Sequence, residues 1–380
     1  MSASPTNPGR RRAVLAGALA LAQAPAWAQP GKAATGKTPF AVAQVVDTSA
    51  AQQDVSKDFL IGSRAAWQDI NTKGGVRGRP VQHLSIEVDG TPASLRTALA
   101  TIRDNASVIC LSGTAGDPAA TQLAALLRQE KLGLAHVAPW LQNSTLDVDE
   151  RTFPIFAARQ EQIGFALKSL SLMGVAEIGA VYASGREFSQ YHDDLERIAT
   201  AFKLKLQSFR GDGELAQLGQ RLTPTTPALL LFVGGTPELV QFTQGLDRQS
   251  RQRYVIALAD VNLQTMAQMG ASRNTPVIAT QAVPMVTAGL PIVRAYRDTL
   301  GRLFDEPPTP LSLAGFIAAR YTFEVLSDLD GALTRQSVLA AFQKRSTTDL
   351  GGYRVAFNPQ GRSATFVTQS MLTQDGRVVG

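Results

Sequence analysis

The loop Ser112-Gly113-Thr114-Ala115-Gly116 carries the residue types best suited to holding a small anion. It follows the apolar run Val108 to Leu111, and Pro118 stands at the first turn of the next predicted helix. Hydroxyl groups and free backbone N–H groups at the amino end of a helix favour an anion such as a carboxylate. A tight strand-to-helix connection with capping hydroxyls has the same composition, so both interpretations stay open.

Other candidate binding residues follow other predicted strands. Ligands in open α/β sheets bind at the carboxyl ends of strands, so such residues are expected to converge on one cleft. By sequence alone, Asp260 is equally a helix cap, and Trp140 is equally a residue that packs at a domain edge. The candidates that share this position are Asp47-Thr48-Ser49 after the first strand, Trp140, Leu141 and Gln142 after the fourth, and Gly235 and Asp260 in the second half of the chain.

Several other chemistries are disfavoured by the sequence. The three histidines are scattered and the single cysteine, Cys110, lies in an apolar run, so we expect neither a metal site nor a disulfide. Gly31 to Thr38 matches a phosphate-binding loop, but no strand precedes it and Pro39 follows, so no nucleotide cofactor is expected. No nucleophile elbow or catalytic triad is recognisable, and we expect no enzyme activity. Without residues 1–28, which carry three arginines and no acidic residue, the formal net charge falls from +6 to +3, which is too small for a nucleic-acid-binding footprint.

The first 28 residues have the three parts of an export signal. Arg10, Arg11 and Arg12 precede an apolar run from Ala13 to Ala22, and Ala26-Trp27-Ala28 is a small-residue cleavage site. The apolar run is about ten residues long, whereas a bilayer span needs about 20. We expect cleavage after Ala28, a disordered spacer over 29–37 and a periplasmic location, reached by either the twin-arginine or the Sec route.

The rest of the chain alternates predicted strands with predicted helices, which indicates parallel sheets covered by helices. Its length exceeds what one hydrophobic core usually serves, so two domains are expected. The predicted strands are Phe40 to Val46, Val81 to Val88, Val108 to Ser112 and Leu132 to Ala138, then Ile178 to Tyr182, Leu204 to Phe209, Ala228 to Val233, Tyr254 to Leu258 and Val277 to Thr280, and finally Tyr353 to Phe357 and Ala364 to Leu372.

One stretch carries a family resemblance. The run Ile70-Asn71-Thr72-Lys73-Gly74-Gly75-Val76-Arg77-Gly78-Arg79-Pro80 ends an amphipathic helix, turns on paired glycines and enters a strand. Placed after a first strand and a first helix, it resembles the bacterial leucine/isoleucine/valine-binding protein family. These are the type I periplasmic solute-binding proteins that feed ABC transporters.

The resemblance implies a clamshell of two doubly wound, Rossmann-like α/β domains joined by a three-crossing hinge. The expected first lobe is 38–154 plus 284–346, and the expected second lobe is 155–283 plus 347–380. The crossings are expected near Phe153 to Phe156, Gln281 to Pro284 and Thr347 to Gly351. The last two helices should return to the first lobe and the final strands to the second.

The resemblance also implies a function and roles for residues. A monomeric periplasmic protein would capture a small amino-acid-like solute and deliver it to an inner-membrane ABC permease. The loop at Ser112, Gly113 and Thr114 would hold a carboxylate, Asp260 an amino group, and Phe188 would close on the ligand. Trp140 and Gln142 depart from the family pattern, which puts a branched-chain amino acid in doubt as the ligand. A clamshell that signals to a receptor instead of a permease is the open alternative.

Overall fold

The computed structural model describes residues 40–271, 274–363, 366–373 and 376–380. Strands and helices alternate along most of these residues, as the sequence predicts. The predicted export signal (1–28), the spacer (29–37) and the loop that matches a phosphate-binding motif lie outside the described residues. Among the helices that are described, none combines the length and the apolar character needed to span a bilayer.

The first sheet is parallel, with the strand order β2-β1-β3-β4-β5. Its strand β1 has neighbours on both sides and all of its residues are buried, which explains its nearly continuous apolar sequence. Cys110 is buried in β3, as expected, and burial raises the pKa of its thiol to about 12. The elements here are β1 (Phe40–Asp47), α1 (Gln53–Thr72), β2 (Val81–Val88), α2 (Pro92–Asp104), β3 (Val108–Ser112), α3 (Asp117–Gln129), β4 (Ala135–Val137) and β5 (Thr152–Phe153).

The second sheet has seven strands in the order β14-β13-β10-β9-β8-β6-β7. The strands from β6 to β10 are parallel, and β13 and β14 add antiparallel pairs at one edge. Two doubly wound sheets therefore confirm the predicted fold class. The elements are α4 (Arg159–Leu172), β6 (Glu177–Tyr182), α5 (Gly185–Ala201), β7 (Lys205–Arg210), α6 (Leu215–Arg221), β8 (Leu229–Val233), α7 (Thr236–Leu246), β9 (Tyr254–Ala257), α8 (Leu263–Gln268), β10 (Val277–Gln281), β13 (Thr368–Leu372) and β14 (Val378–Val379).

The elements between β10 and β13 include one departure from expectation. They are α9 (Pro291–Leu303), α10 (Pro310–Ser327), α11 (Arg335–Gln343), β11 (Thr348–Asp349) and β12 (Arg354–Val355). The strand predicted at Tyr353 to Phe357 was expected in the second sheet, but β12 pairs only with β11 among the described strands. Tyr353 explains this, because it is fully buried and its hydroxyl donates to Ile155 O at 2.6 Å. The chain therefore passes to the second sheet after β12.

The glycine turn that carries the family resemblance folds as predicted. Helix α1 ends at Thr72, and Gly74 and Gly75 have φ angles of +102° and +71°. The amide side chain of Asn71 donates to Val81 O and accepts from Val81 N, both at 2.9 Å. The end of α1 is thereby tied to the first residue of β2, so the turn fixes where the second strand begins.

Helices α1 and α10 pack at very short range through glycines. A Cβ atom on Gly62 would lie 1.7 Å from Ser312 O, and one on Gly315 would lie 1.9 Å from Phe59 O. Real Cβ atoms do not approach backbone oxygens this closely, so only glycine permits the observed separation of the helices. This contact holds α10 to the first sheet.

We expect Gly62→Ala to lower the free energy of unfolding by about 1–3 kcal/mol or more, because the added methyl group forces the backbones of α1 and α10 apart. The matched control is Gly301→Ala in α9, where a Cβ atom would meet nothing within 4 Å. That change should instead stabilise the protein by about 0.5–1 kcal/mol through helix propensity. Urea denaturation of both variants measures the difference, and equal effects would contradict the packing argument.

Candidate functional site

A buried ion network lies where the carboxyl ends of the two sheets meet. Arg159, the first residue of α4, has its Nε 3.1 Å from Asp260 Oδ2 and its Nη1 3.5 Å from Asp117 Oδ2. Its guanidinium also lies 4.6 Å from the ring centroid of Tyr191 and donates to the hydroxyl of that tyrosine. Arg159 and Asp260 belong to the second sheet's elements, whereas Asp117 begins α3 beside the first sheet. One arginine thus joins carboxylates from both halves.

In this network, the charge of Arg159 and the charges of the two carboxylates stabilise each other. Burial disfavours a charged Arg159, but the carboxylates of Asp260 and Asp117 outweigh burial and raise the pKa of the guanidinium. Burial raises the pKa of Asp117, and Arg159 acts in the opposite direction. Asp117 Oδ1 accepts the backbone N–H groups of Gln142 and Asn143, both at 2.8 Å. The network is consequently cross-linked to the loop that follows β4.

Trp140 lies in the same network, as a contact between the two halves. Its indole Nε1–H donates to Asp260 Oδ1 at 3.0 Å, and its backbone N–H donates to Thr114 O at 2.8 Å. The ring makes aromatic contacts with Phe59 and Phe156, whose centroids lie 6.0 Å and 5.4 Å away. Trp140 is only 1% exposed. Its burial fits packing at a domain edge, where it also bonds directly to the predicted acid of the second half, and a ligand-binding role for Trp140 stays a prediction.

Gln142 lies beside this contact and reaches the second half through another glutamine. The amide of Gln162 donates to Gln142 Oε1, and Gln162 Oε1 accepts from Ala259 N at 2.9 Å and from Thr280 Oγ1 at 3.1 Å. Gln142 and its neighbour Leu141 are fully buried. Gln142 Nε2 has no hydrogen-bond partner among the described residues. One buried donor therefore remains available beside the ion network.

The hydroxyls of the predicted anion loop have partners within the first half. Ser112 Oγ lies 2.6 Å from Thr322 Oγ1 in α10, and Thr114 Oγ1 lies 2.8 Å from His136 Nε2. Burial lowers the pKa of His136 to about 3, so this imidazole is neutral near pH 7. Gly113 has a φ of +67°, and its carbonyl accepts from Gln44 Nε2 at 2.6 Å. These bonds fit the structural interpretation of the loop, and a carboxylate-binding role stays a prediction.

Phe188 and Gly235 lie outside the ion network to which Trp140 and Asp260 belong. The half-buried Phe188 stacks on His192 at a centroid distance of 4.3 Å, and the guanidinium of Arg210 lies 5.0 Å from its ring. Its ring contacts thus lie within the second half. Gly235 caps α7, and a Cβ atom there would lie 3.8 Å from Ala51 O in the β1–α1 loop. The glycine therefore lies where the two halves approach each other.

Sequence analysis did not identify four residues of the candidate site, which are Arg159, Asp117, Tyr191 and Gln162. Arg159 offered one usable signal, because a cation in the first turn of a helix opposes the helix dipole and needs nearby carboxylates. Asp117 gave no functional signal, because its position before Pro118 is typical of an ordinary helix start. Nothing in the sequence distinguishes Tyr191 or Gln162 from the other residues of their helices.

Three sizeable cavities lie elsewhere in the described residues, and one of about 540 Å³ is lined by Arg64, Trp67 and His83 among others. One of about 250 Å³ is lined by Asn262, Leu263, Thr309 and Leu311 among others, and one of about 600 Å³ lies between α10 and α11. None of these cavities is lined by any of the predicted site residues. Of the predicted residues, Trp140, Gln142 and Asp260 make hydrogen bonds within the ion network.

The sequence matches a family model described as "Periplasmic binding protein" over residues 39–375. No curated protein matches it significantly. The fold is similar to that of an extracellular ligand-binding receptor from Verminephrobacter eiseniae, with a TM-score of 0.81 and 15% identity over 90% of this chain and 100% of that one.

Two further solved structures carry names that state a ligand. A fatty acid ABC transporter substrate-binding protein from Thermomonospora curvata has a TM-score of 0.76 and 14% identity, over 90% of this chain and 92% of that one. A branched-chain amino acid transporter substrate-binding protein from Streptococcus pneumoniae, in complex with isoleucine, has a TM-score of 0.76 and 13% identity, over 90% and 98%. Identities this low indicate a shared fold, and the two names state different kinds of ligand.

Proposed function

The chain belongs to the periplasmic binding proteins, and we propose that it captures a small polar solute between its two lobes and delivers it to an inner-membrane ABC permease. Members of this family bind ligands and are periplasmic. The solute class that we propose is an amino acid or a related carboxylate or amide. The protein would act as a monomer, with no cofactor, since closure of the lobes on one solute needs no second copy.

The observation that carries this proposal is the hydrogen bond from Trp140 Nε1 to Asp260 Oδ1. It joins the loop after the fourth strand of one sheet to the loop after a strand of the other, at the sheet ends where α/β folds bind ligands. Asn262 and Asp58 make a second such contact, with Nδ2 2.8 Å from Oδ2. These contacts stabilise the closed arrangement by themselves, and the solute would shift the equilibrium further toward closure only by contacting both lobes.

The residues of the site divide by role in this proposal. Ser112, Gly113 and Thr114 would face the polar end of the solute from the first lobe. Asp260 would act as the anchor on the second lobe, with its carboxylate oriented by Trp140 and Arg159. The walls of the cleft would be formed by the remaining predicted residues, which are Leu141, Gln142, Phe188 and Gly235.

We propose lobes of 38–154 plus 284–346 and of 155–283 plus 347–380. Support comes from the two sheets, since β1 to β5 fall in the first set and the strands of the second sheet fall in the other. The segment with β11 and β12 is the exception, because Leu350, Tyr353 and Val355 belong to the same hydrophobic core as residues of α9 and α10. The third connection would therefore bend between β12 and β13.

A thermal-shift screen tests the proposed function. We expect at least one member of a panel of amino acids, small carboxylates, aromatic acids and amides to raise the melting temperature. A solute that binds only the folded state adds about 2.7 kcal/mol of stability at 100 times its Kd. Asp260→Asn should reduce the shift, whereas Glu196→Gln, an exposed acid on α5, should not. Conversion of the solute to a product would contradict a binding role.

A further inference from the structure

We propose that the cavity of about 250 Å³ beside the start of α10 is a second ligand site, which takes a small carboxylic acid with an apolar body. This site is additional to the proposed cleft, because no residue of the ion network lines the cavity. The walls come from α8, β10, β13 and β14 on one side, and from α9 and α10, which pack against α1, on the other. A ligand here would therefore contact both lobes.

Two buried polar side chains line the cavity without a partner. Gln281, the last residue of β10, is 3% exposed, and Ser370 in β13 is 8% exposed. Neither side chain makes a hydrogen bond with the described residues. Ser370 pairs in register with Ala279, so it lies on the same face of the sheet as Gln281, at a diagonal separation of about 7–8 Å. Because buried polar groups are rarely left unpaired, a ligand that bonds to both would account for them.

Arg297 supplies the charge at this site. It is the only charged residue that lines the cavity, and in the described part of the chain it forms no ion pair. Its Nη1 donates to Val286 O at 3.3 Å. A guanidinium has five N–H donors, so most of them are left for a ligand. A carboxylate is the group that this set of donors fits best.

The start of α10 favours an anion as well. Pro310 and Leu311, in the first turn of this 18-residue helix, line the cavity, and the first turn contains no acidic residue. The positive end of the helix dipole therefore lies at the cavity. The acids Asp54, Asp58 and Glu306 line a neighbouring cavity and not this one.

The remaining walls set the size and character of the ligand. Half of the lining residues are apolar, and they include Val261, Leu263 and Val378. An apolar cavity of about 150 Å³ already holds a benzene ring, and a volume share of about 30 Å³ per water-sized group gives room for about eight groups here. Hexanoate and benzoate have this size.

The test compares acids with neutral molecules of the same shape. Hexanoate and benzoate are titrated beside 1-hexanol and benzyl alcohol, and binding is followed by ligand-observed NMR. We expect at least one acid to bind more tightly than its alcohol. Arg297→Gln should weaken that acid by about tenfold or more, through loss of a charge-assisted contact, and the alcohol much less. Arg294→Gln, an exposed arginine on the same helix, is the control and should leave both unchanged.

Two further variants locate the bound acid. Thr287 is exposed and lines the cavity, so Thr287→Trp should fill the space without disturbing the core and should weaken both acid and alcohol. Asp260→Asn, in the ion network, should leave the affinity for the acid unchanged.

Three results would overturn the inference. They are equal binding of acid and alcohol by the wild type, acid binding that neither Arg297→Gln nor Thr287→Trp weakens, and acid binding that Asp260→Asn weakens as much as Arg297→Gln does. The last result would place the acid in the cleft. Absence of binding by all four probes would also overturn it, and would leave the proposed function to be decided by the thermal-shift screen.

Discussion

Arg159→Ala is expected to lower the free energy of unfolding by about 3–5 kcal/mol, the cost of leaving buried carboxylates without their cation. The arginine side chain is 13% exposed, and those of Asp117 and Asp260 are 7% and 6% exposed. Without Arg159 the two carboxylates would face each other in a site that water hardly reaches. Chemical denaturation at neutral pH measures the effect.

Two companion variants test this explanation. Arg197→Ala removes an arginine that is 64% exposed and pairs with Asp194 on the same helix, and it should cost no more than about 1 kcal/mol. The triple variant Arg159→Met, Asp117→Asn and Asp260→Asn removes all three charges together. It should recover much of the stability lost in Arg159→Ala, since no buried charge is then left unpaired. A triple variant that is no more stable than Arg159→Ala would contradict the account.

Trp140→Ala is expected to cost about 3–5 kcal/mol, since it removes a large buried ring from between Phe59 and Phe156. Trp140→Phe keeps most of the ring but removes the donor to Asp260, and it should cost about 1–3 kcal/mol. The same Phe variant should weaken solute binding, because the carboxylate of Asp260 loses the bond that orients it from the first lobe.

Trp67→Phe is the matched control for the role of Trp140 between the lobes. Trp67 is 2% exposed and lies on α1, in contact with His83 in the first lobe. Its substitution should lower stability but leave solute affinity unchanged. Denaturation and titration of both variants distinguish the two roles, and equal changes in affinity would mean that Trp140 acts only through packing.

The fold was predictable because its signals are local. Alternating apolar runs gave the strands, and the paired glycines at Gly74 and Gly75 gave the turn that ends α1, where the structure has positive φ angles. The placement of β12 was wrong because the position of Tyr353 depends on a contact with Ile155, 198 residues away in the sequence. No local pattern carries that information.

The candidate site was predictable only in outline. The rule that ligands bind at strand ends identified Trp140 and Asp260, which lie 120 residues apart and share a hydrogen bond. Arg159 was missed, because its role depends on carboxylates that only the folded chain brings to it. The full burial of Asp47 could not be predicted either, since the turn Asp47-Thr48-Ser49 is polar in sequence.

Isothermal titration calorimetry of the purified protein, with the solute that gives the largest thermal shift, measures whether each chain captures one solute. We expect saturable heat with one solute bound per chain, and loss of that heat in the Asp260→Asn variant. A heat signal that continues after each injection would indicate turnover. That result, or the absence of saturable binding by any solute that raises the melting temperature, would contradict a protein that captures its solute between two lobes.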